Sequence, residues 1–142
     1  MNYKVIELKS AAHPDSKYGC LAFFEGEKDI PFAIKRIFFI YKVESGKHRG
    51  FHAHKSDYQL LFCPYGKINV IVDDGSEKTV VALDKPTKGL VLAPEIWREM
   101  IWEETDSVLC VADSENYDPN EYIRDYDEFL EYIKNLKSEP MY

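Results

Sequence analysis

Residues 46–66 read GKHRGFHAHKSDYQLLFCPYG and hold three of the chain's four histidines, His48, His52 and His54. His52 and His54 are two positions apart. On an extended strand such side chains share a face, roughly 6.5–7 Å apart, and converge on one cavity. Two polar rings side by side in an apolar interior are costly unless they are hydrogen-bonded or used. An exposed edge pair is the alternative at this point. Lys47, His48, Arg49 and Lys55 surround the pair, making the segment locally basic or simply a solvated loop.

On both sides of this segment, short strand-like runs follow one another with turn signals between them. They cover residues 3–8, 20–26, 33–43, 57–64, 67–74, 78–84, 89–94, 99–104 and 107–113. Ile68, Val70 and Val72 share one face of their run, with Lys67, Asn69 and Ile71 on the other. DDGSEK, 73–78, reads as a hairpin connection. So many short strands at this spacing predict an all-β antiparallel sandwich or barrel. The period then changes. Asp118, Pro119 and Glu121 read as N-cap, N1 proline and capping acid, and Tyr126, Phe129, Leu130, Ile133 and Leu136 recur at helical steps. This predicts a C-terminal amphipathic helix over about 118–137 that covers the sheet or a partner.

The 142 residues suit a single domain, 1–142, and the composition, 45% hydrophobic and 14% aromatic, is globular. No 18-residue apolar run and no charged-then-apolar leader is present, so a soluble, cytoplasmic protein is expected. A net charge of −7 argues against nucleic acid or anionic membrane as partners, while leaving room for a small anion at the basic segment. Cys20, Cys63 and Cys110 are odd in number and set among apolar neighbours, which predicts reduced core thiols.

Gly46, His52, His54 and Gly66 stand at the spacing of the first cupin motif, with Gln59 where that motif carries glutamate. GLVLAPEIWREM, 89–100, resembles the second cupin motif, but Ile96 replaces its glycine and Arg98-Glu99 stand in place of its histidine. A neutral glutamine is a weak ligand and an arginine repels a divalent ion, so no metal and no other cofactor is expected; Glu99 is the remaining candidate for a third ligand. Two imidazoles without a metal suit proton transfer near neutral pH, next to a carbonyl that acidifies the C–H, and hence isomerisation or epimerisation.

PFAIKRIFFIYKV, HRGFHAHKSDYQLLFCPYGKINVIVDDG, GLVLAPEIWREM and YDPNEYIRDYDEFL together resemble the dTDP-sugar 3,4-ketoisomerases of the WxcM-like cupin group, over roughly residues 3–133. That resemblance implies a small cupin (a jelly roll, or double-stranded β-helix) with a C-terminal helix, and a homodimer in which strands can be exchanged. It implies metal-independent conversion of dTDP-4-keto-6-deoxyglucose to its 3-keto isomer, on the way to an amino sugar of surface polysaccharide or a glycosylated natural product. Carried over by position, His52 is the base at C3 and His54 a second acid/base for the sugar oxygens or C4. Tyr41 is a candidate to hydrogen-bond a histidine or a sugar hydroxyl, with packing the alternative. Arg49 and Lys55 are candidates for the diphosphate, and Gln59 for the sugar or nucleotide. Arg98 departs from the group's usual histidine and reads as a phosphate contact or a surface residue. A 3,5-epimerase of the same substrate, a metal-dependent cupin dioxygenase and a non-catalytic sugar-binding cupin are the alternatives.

Overall fold

Alternating apolar side chains build two sheets whose inner faces meet. The computed structural model describes residues 1–11 and 17–138. Its strands are β1 (Tyr3–Glu7), β2 (Lys9–Ser10), β3 (Ala22–Phe23), β4 (Arg36–Ile40), β5 (His48–His54) and β6 (Gln59–Tyr65). Then come β7 (Ile68–Asp73), β8 (Lys78–Leu83), β9 (Lys88–Leu92), β10 (Trp97–Trp102), β11 (Val108–Asp113) and β12 (Tyr122–Ile123). The helix α1 spans Tyr126–Ser138. One sheet runs β1-β9-β6-β11-β4 and the other β12-β5-β10-β7-β8, while β2 and β3 form a separate ribbon. Every pairing between these strands is antiparallel, the arrangement of a jelly roll.

Ile68, Val70 and Val72 face inward and are fully buried, as their alternation predicts. They pack with Leu61, Cys63, Leu90, Leu92, Met100 and Trp102 in the core between the sheets. Each such aliphatic side chain contributes about 1.5–3 kcal/mol by leaving water. Gly66 is needed for a close approach as well as its turn. With φ at +94°, a Cβ there would lie 2.0 Å from Ser107 Oγ. Without it, Ser107 accepts from the Lys67 N–H at 2.9 Å and donates to the Glu104 carbonyl at 2.8 Å. The outer face of the first sheet is covered by Ile30 and Phe32, packed with Leu60, Val91 and Ala112. Helix α1 covers the second with Phe129, against Ala53, Trp97 and Ile123.

Two expectations change. The helix begins at residue 126, not 118. Asp118 does act as an N-cap, accepting from Asn120 N–H, but the turn it caps is a 3-10 turn, Pro119–Glu121. Glu121 reaches across to the backbone and hydroxyl of Ser56 instead of its own turn, and β12 then pairs with β5 before Asp125 caps α1. Cys20 is exposed, whereas Cys63 is buried and Cys110 partly so. The histidine segment, conditional as a strand in the sequence, is the seven-residue β5.

Strand β5 carries a bulge, and the bulge aims its side chains. Arg98 pairs with His52, Glu99 with Gly50 and Met100 with Arg49, so Phe51 is the extra residue. Gly50 and Phe51 both have positive φ, +94° and +57°. Three residues apart on a regular strand, Arg49 and His52 would face opposite ways; with the bulge both face inward, opposite Met100 and Arg98. His48 and Phe51 stay outside, stacked at 6.3 Å, with His48 Nδ1 3.5 Å from Glu99 Oε1. A Cβ at Gly50 would lie 3.0 Å from both the Arg98 carbonyl oxygen and Met100 Sδ. Gly50→Ala is therefore expected to destabilise the protein by about 1–3 kcal/mol and displace His52. Denaturant unfolding with an activity assay on the folded fraction checks this, and unchanged stability would mean that the bulge does not need glycine.

Candidate active site

The inward sides of β4, β5, β6, β10 and β11, with β12 and the residue after it, enclose a cavity of about 260 Å3. His52 lines it with Arg49, Gln59, Arg98, Tyr122 and Arg124, above an apolar floor that includes Phe38, Leu61 and Met100. Three arginines on one cavity make it strongly basic inside an acidic chain. A larger hollow of about 770 Å3 lies on the outer side of the first sheet, around Leu8, Phe23, Phe24, Phe62 and Pro86. Among the described residues that line it, Cys20 is the only ionisable side chain, so the smaller cavity is the one equipped for chemistry.

A buried polar chain supports that cavity. Arg98, 1% exposed, donates from NH1 to Gln59 Oε1 at 2.5 Å and from NH2 to the Ile96 carbonyl at 3.0 Å. Gln59 Nε2 donates to Asp113 Oδ2 at 2.7 Å, and Arg36 donates to the same oxygen at 2.8 Å. Asp57 Oδ2 lies 3.6 Å from Arg36 and 3.4 Å from His54 Nδ1. The two imidazoles and Tyr122 pack as a cluster: ring centres are 5.0 Å apart for His52 and His54, 5.0 Å for His52 and Tyr122, and 4.6 Å for His54 and Tyr122.

Burial, then the charge of Arg98, push the His52 pKa down to about 3, against the Gly50 backbone, which raises it, and with Arg124 adding to the fall. His54 is pushed down further, by burial, Arg98, His52, Arg36 and Arg124 in that order. Burial and the neighbouring Asp113 raise Asp57 to about 7. Arg98 falls to about 10 by burial and keeps its charge at neutral pH. Both imidazoles are therefore neutral in the free protein.

Of the residues singled out in the sequence, the fold brings Arg49, His52, Gln59 and Arg98 to the cavity. His54 sits directly behind His52, fully buried, and does not line the cavity itself. Arg98 is no surface residue. Tyr41 is not brought to the site: just beyond β4 it is 57% exposed and packs on Phe39 at 5.8 Å, because its side chain follows the outward parity of that strand. Lys55 is exposed, donates its backbone N–H to the Glu121 carbonyl and does not line the cavity. Sequence reasoning missed Tyr122, Arg124, Asp57, Asp113 and Arg36. Tyr122 and Arg124 lie in the YIRDYDEF signature but were absorbed into an expected helix; the β12 pairing with His54 turns them into the cavity.

The donors present do not fit a cupin metal. Gln59 is engaged at both ends of its amide, and Arg98 occupies the interior beside it. Ligand atoms of His54, Asp57 and Asp113 lie within 4.8 Å of one another, but Arg36 already neutralises Asp113 and Arg98 stands nearby, so a divalent ion would meet two guanidiniums.

The family model for FdtA, described as WxcM-like, C-terminal, matches residues 1–134. The chain is 42% identical to TDP-4-oxo-6-deoxy-α-D-glucose 3,4-oxoisomerase of Aneurinibacillus thermoaerophilus over 139 residues, 98% of each chain. It is similar to QdtA, a sugar 3,4-ketoisomerase of Thermoanaerobacterium thermosaccharolyticum solved with TDP, at 38% identity and a TM-score of 0.89, covering 95% of this chain and 96% of that one. A histidine-to-asparagine variant of QdtA, solved with TDP-4-keto-6-deoxyglucose, superposes with a TM-score of 0.89 at 38% identity, over 97% and 98% of the two chains.

The two suppressed imidazoles set the acid sensitivity of the fold. Below pH 6.5 the unfolded chain binds protons that the folded chain refuses, so stability contributed by the pair is whole above 6.5 and falls as the pH drops toward about 3. The limit is about 1.4 kcal/mol per pH unit for each histidine. Asp57 opposes this between about 7 and 3.8, where the folded chain holds the extra proton. One net proton remains, so urea unfolding should show stability falling from about pH 6.5 toward pH 5 with a slope approaching about 1.4 kcal/mol per unit. His54→Asn should flatten that slope; an unchanged slope would mean that His54 is protonated in the folded chain.

Proposed function

The chain belongs to the FdtA (WxcM-like, C-terminal) family, and from that premise we infer that it is a sugar 3,4-ketoisomerase, an isomerase that converts TDP-4-keto-6-deoxyglucose to the 3-keto isomer. The observation that carries this reading is a neutral His52 opening on a cavity lined by three arginines. The C4 ketone acidifies the neighbouring C3–H, and His52 removes that proton. The electron pair forms the C3=C4 bond of an enediolate, and the C4 carbonyl electrons move to O4. Return of a proton to C4, with the O3 proton passing to O4, leaves the carbonyl at C3. Arg49, Arg98 and Arg124 are suited to the diphosphate and to the charge that develops on O4. Gln59, held at both ends, is positioned by the network. His54 serves as second acid/base from behind His52.

The chain works as one cupin domain and as a homodimer in this proposal. Support for the dimer comes from β4, an edge strand whose outward face presents Ile37 at 63%, Phe39 at 59% and, just after it, Tyr41 at 57% exposure. Among the described residues no helix is long and apolar enough to cross a membrane; a cytoplasmic location remains part of the proposal.

Incubation with TDP-4-keto-6-deoxyglucose in D2O, followed by NMR, tests the function: the carbonyl should move to C3 with exchange at C3. A ketone that stays at C4 with exchange at C5 would make the protein a 3,5-epimerase. His52→Asn should lower C3 exchange and isomerisation about 10²–10⁴-fold while TDP binding persists. Unchanged exchange in that variant sinks the assignment of the base.

A further inference from the structure

Building on the ketoisomerase reading, we propose that Tyr122 is a further catalytic residue: its hydroxyl takes the proton of O3 and gives its own to O4, the exchange that turns a 4-ketone into a 3-ketone. Removal of the C3 proton leaves an enediolate with a proton on O3 and a negative charge on O4. Before the carbonyl forms at C3, the O3 proton has to leave and one has to reach O4. The group that manages this must donate and accept together, and must touch the sugar.

Few groups on the cavity wall meet that requirement. Arg49, Arg98 and Arg124 donate hydrogen bonds but keep their protons. Gln59 has its oxygen committed to Arg98 and its nitrogen to Asp113. His52 is holding the C3 proton at this stage, and His54 does not line the cavity. The rest of the wall is glycine and apolar side chains. Tyr122 remains, and a phenol is at once a donor and an acceptor.

The fold holds the ring of Tyr122 and leaves its hydroxyl unused. Pairing with His54 across the β12–β5 ladder sets the ring beside both histidines, its centre 5.0 Å from that of His52 and 4.6 Å from that of His54. The Arg124 guanidinium lies over the ring, 4.4 Å from its centre. None of these contacts engages the hydroxyl. Nor is the hydroxyl sealed in the wall: among the described residues, the buried side-chain atoms left without a partner belong to His52, His54 and Arg98. It is free for a ligand, on a side chain within electrostatic reach of Arg98 across the cavity. In a six-membered ring the double bond holds O3 and O4 on the same side, so one hydroxyl can span both.

The step balances in atoms and charge. The O3–H bond breaks and its proton goes to the phenol oxygen; the phenol O–H bond breaks and its proton goes to O4. The negative charge passes from O4 to O3, and Tyr122 is neutral before and after. The carbonyl then forms at C3 as C4 takes up a proton.

Tyr122→Phe keeps the ring and removes only the hydroxyl, without costing the fold a hydrogen bond. With TDP-4-keto-6-deoxyglucose in D2O, NMR should show C3 exchange in the 4-keto sugar, and TDP affinity, each within about threefold of the parent. Formation of the 3-keto product should fall about 100-fold or more. A variant that forms product at the parental rate overturns the proposal, since water or the sugar itself then moves the proton. One that loses exchange and product formation equally also overturns it, because the hydroxyl would then serve the base and not the oxygens. A variant that loses TDP affinity in step with product formation does the same, making Tyr122 a binding residue. Failure of the ketoisomerase reading shows separately, in the parent protein, as a ketone that stays at C4, and it removes this role as well.

Discussion

A guanidinium 1% exposed in the interior of a small barrel cannot be left without partners, and much of the site follows from that constraint on Arg98. Its partners run in single file: Gln59 on β6, Asp113 on β11, then Arg36 on β4. Arg98 itself belongs to the other sheet, so this file of polar groups ties the two sheets together at one end of the barrel. Gln59 and Asp113 are also direct register partners, which places their side chains on the same face without further contrivance. Elsewhere the interior is Leu, Ile, Val and Trp, closely packed. The polar file is where the core stops and the cavity begins. Removing one member would strand the rest, and leaving an uncompensated buried charge costs about 3–5 kcal/mol.

The same file explains how a cupin-like histidine pair comes to lack its metal partners. Gln59 takes the glutamate's place and spends its oxygen on Arg98 and its nitrogen on Asp113. Arg98 takes the third histidine's place and brings a positive charge where an ion would otherwise sit. Neither replacement would be tolerable alone: a lone buried arginine lacks acceptors, and a lone glutamine leaves its amide unpaired. Together they form a satisfied unit that supplies a fixed cation in place of an exchangeable one.

The sheet core was legible because its signal is periodic and local, as in Ile68, Val70 and Val72. So was the shared face of His52 and His54, since a two-residue step keeps its parity past the bulge. The bulge itself was not legible: Gly50 announces a permissive backbone, but no local rule assigns a left-handed conformation to Phe51, and the inward turn of Arg49 depends on it. For Tyr41 the alternative of packing holds, because its side chain follows the outward parity of β4 onto Phe39. Tyr122 and Arg124 were hidden because Asp118, Pro119 and Glu121 imitate the start of a long helix. Only the ladder of Tyr122 with His54, a contact between distant parts of the chain, interrupts it. Asp57 and Asp113 stand at the ends of strand-like runs in the sequence, and their pairing depends on Arg36, 21 positions from one and 77 from the other.

Electrostatics joins these pieces. Burial, then Arg98 and Arg124, lower the proton affinity of His52, and Arg36 adds to them at His54. A basic cavity of this kind attracts a diphosphate and, before one arrives, keeps its imidazoles in the base form. Bound diphosphate charge counters the arginines from the cavity side and so returns proton affinity to His52 as the substrate is seated. Behind the rings, Asp57 sits outside the reach of that substrate and is paired with Arg36, so its contribution is built into the wall and does not depend on occupancy. Burial, Arg98 and Arg124 together hold both imidazoles in the neutral form.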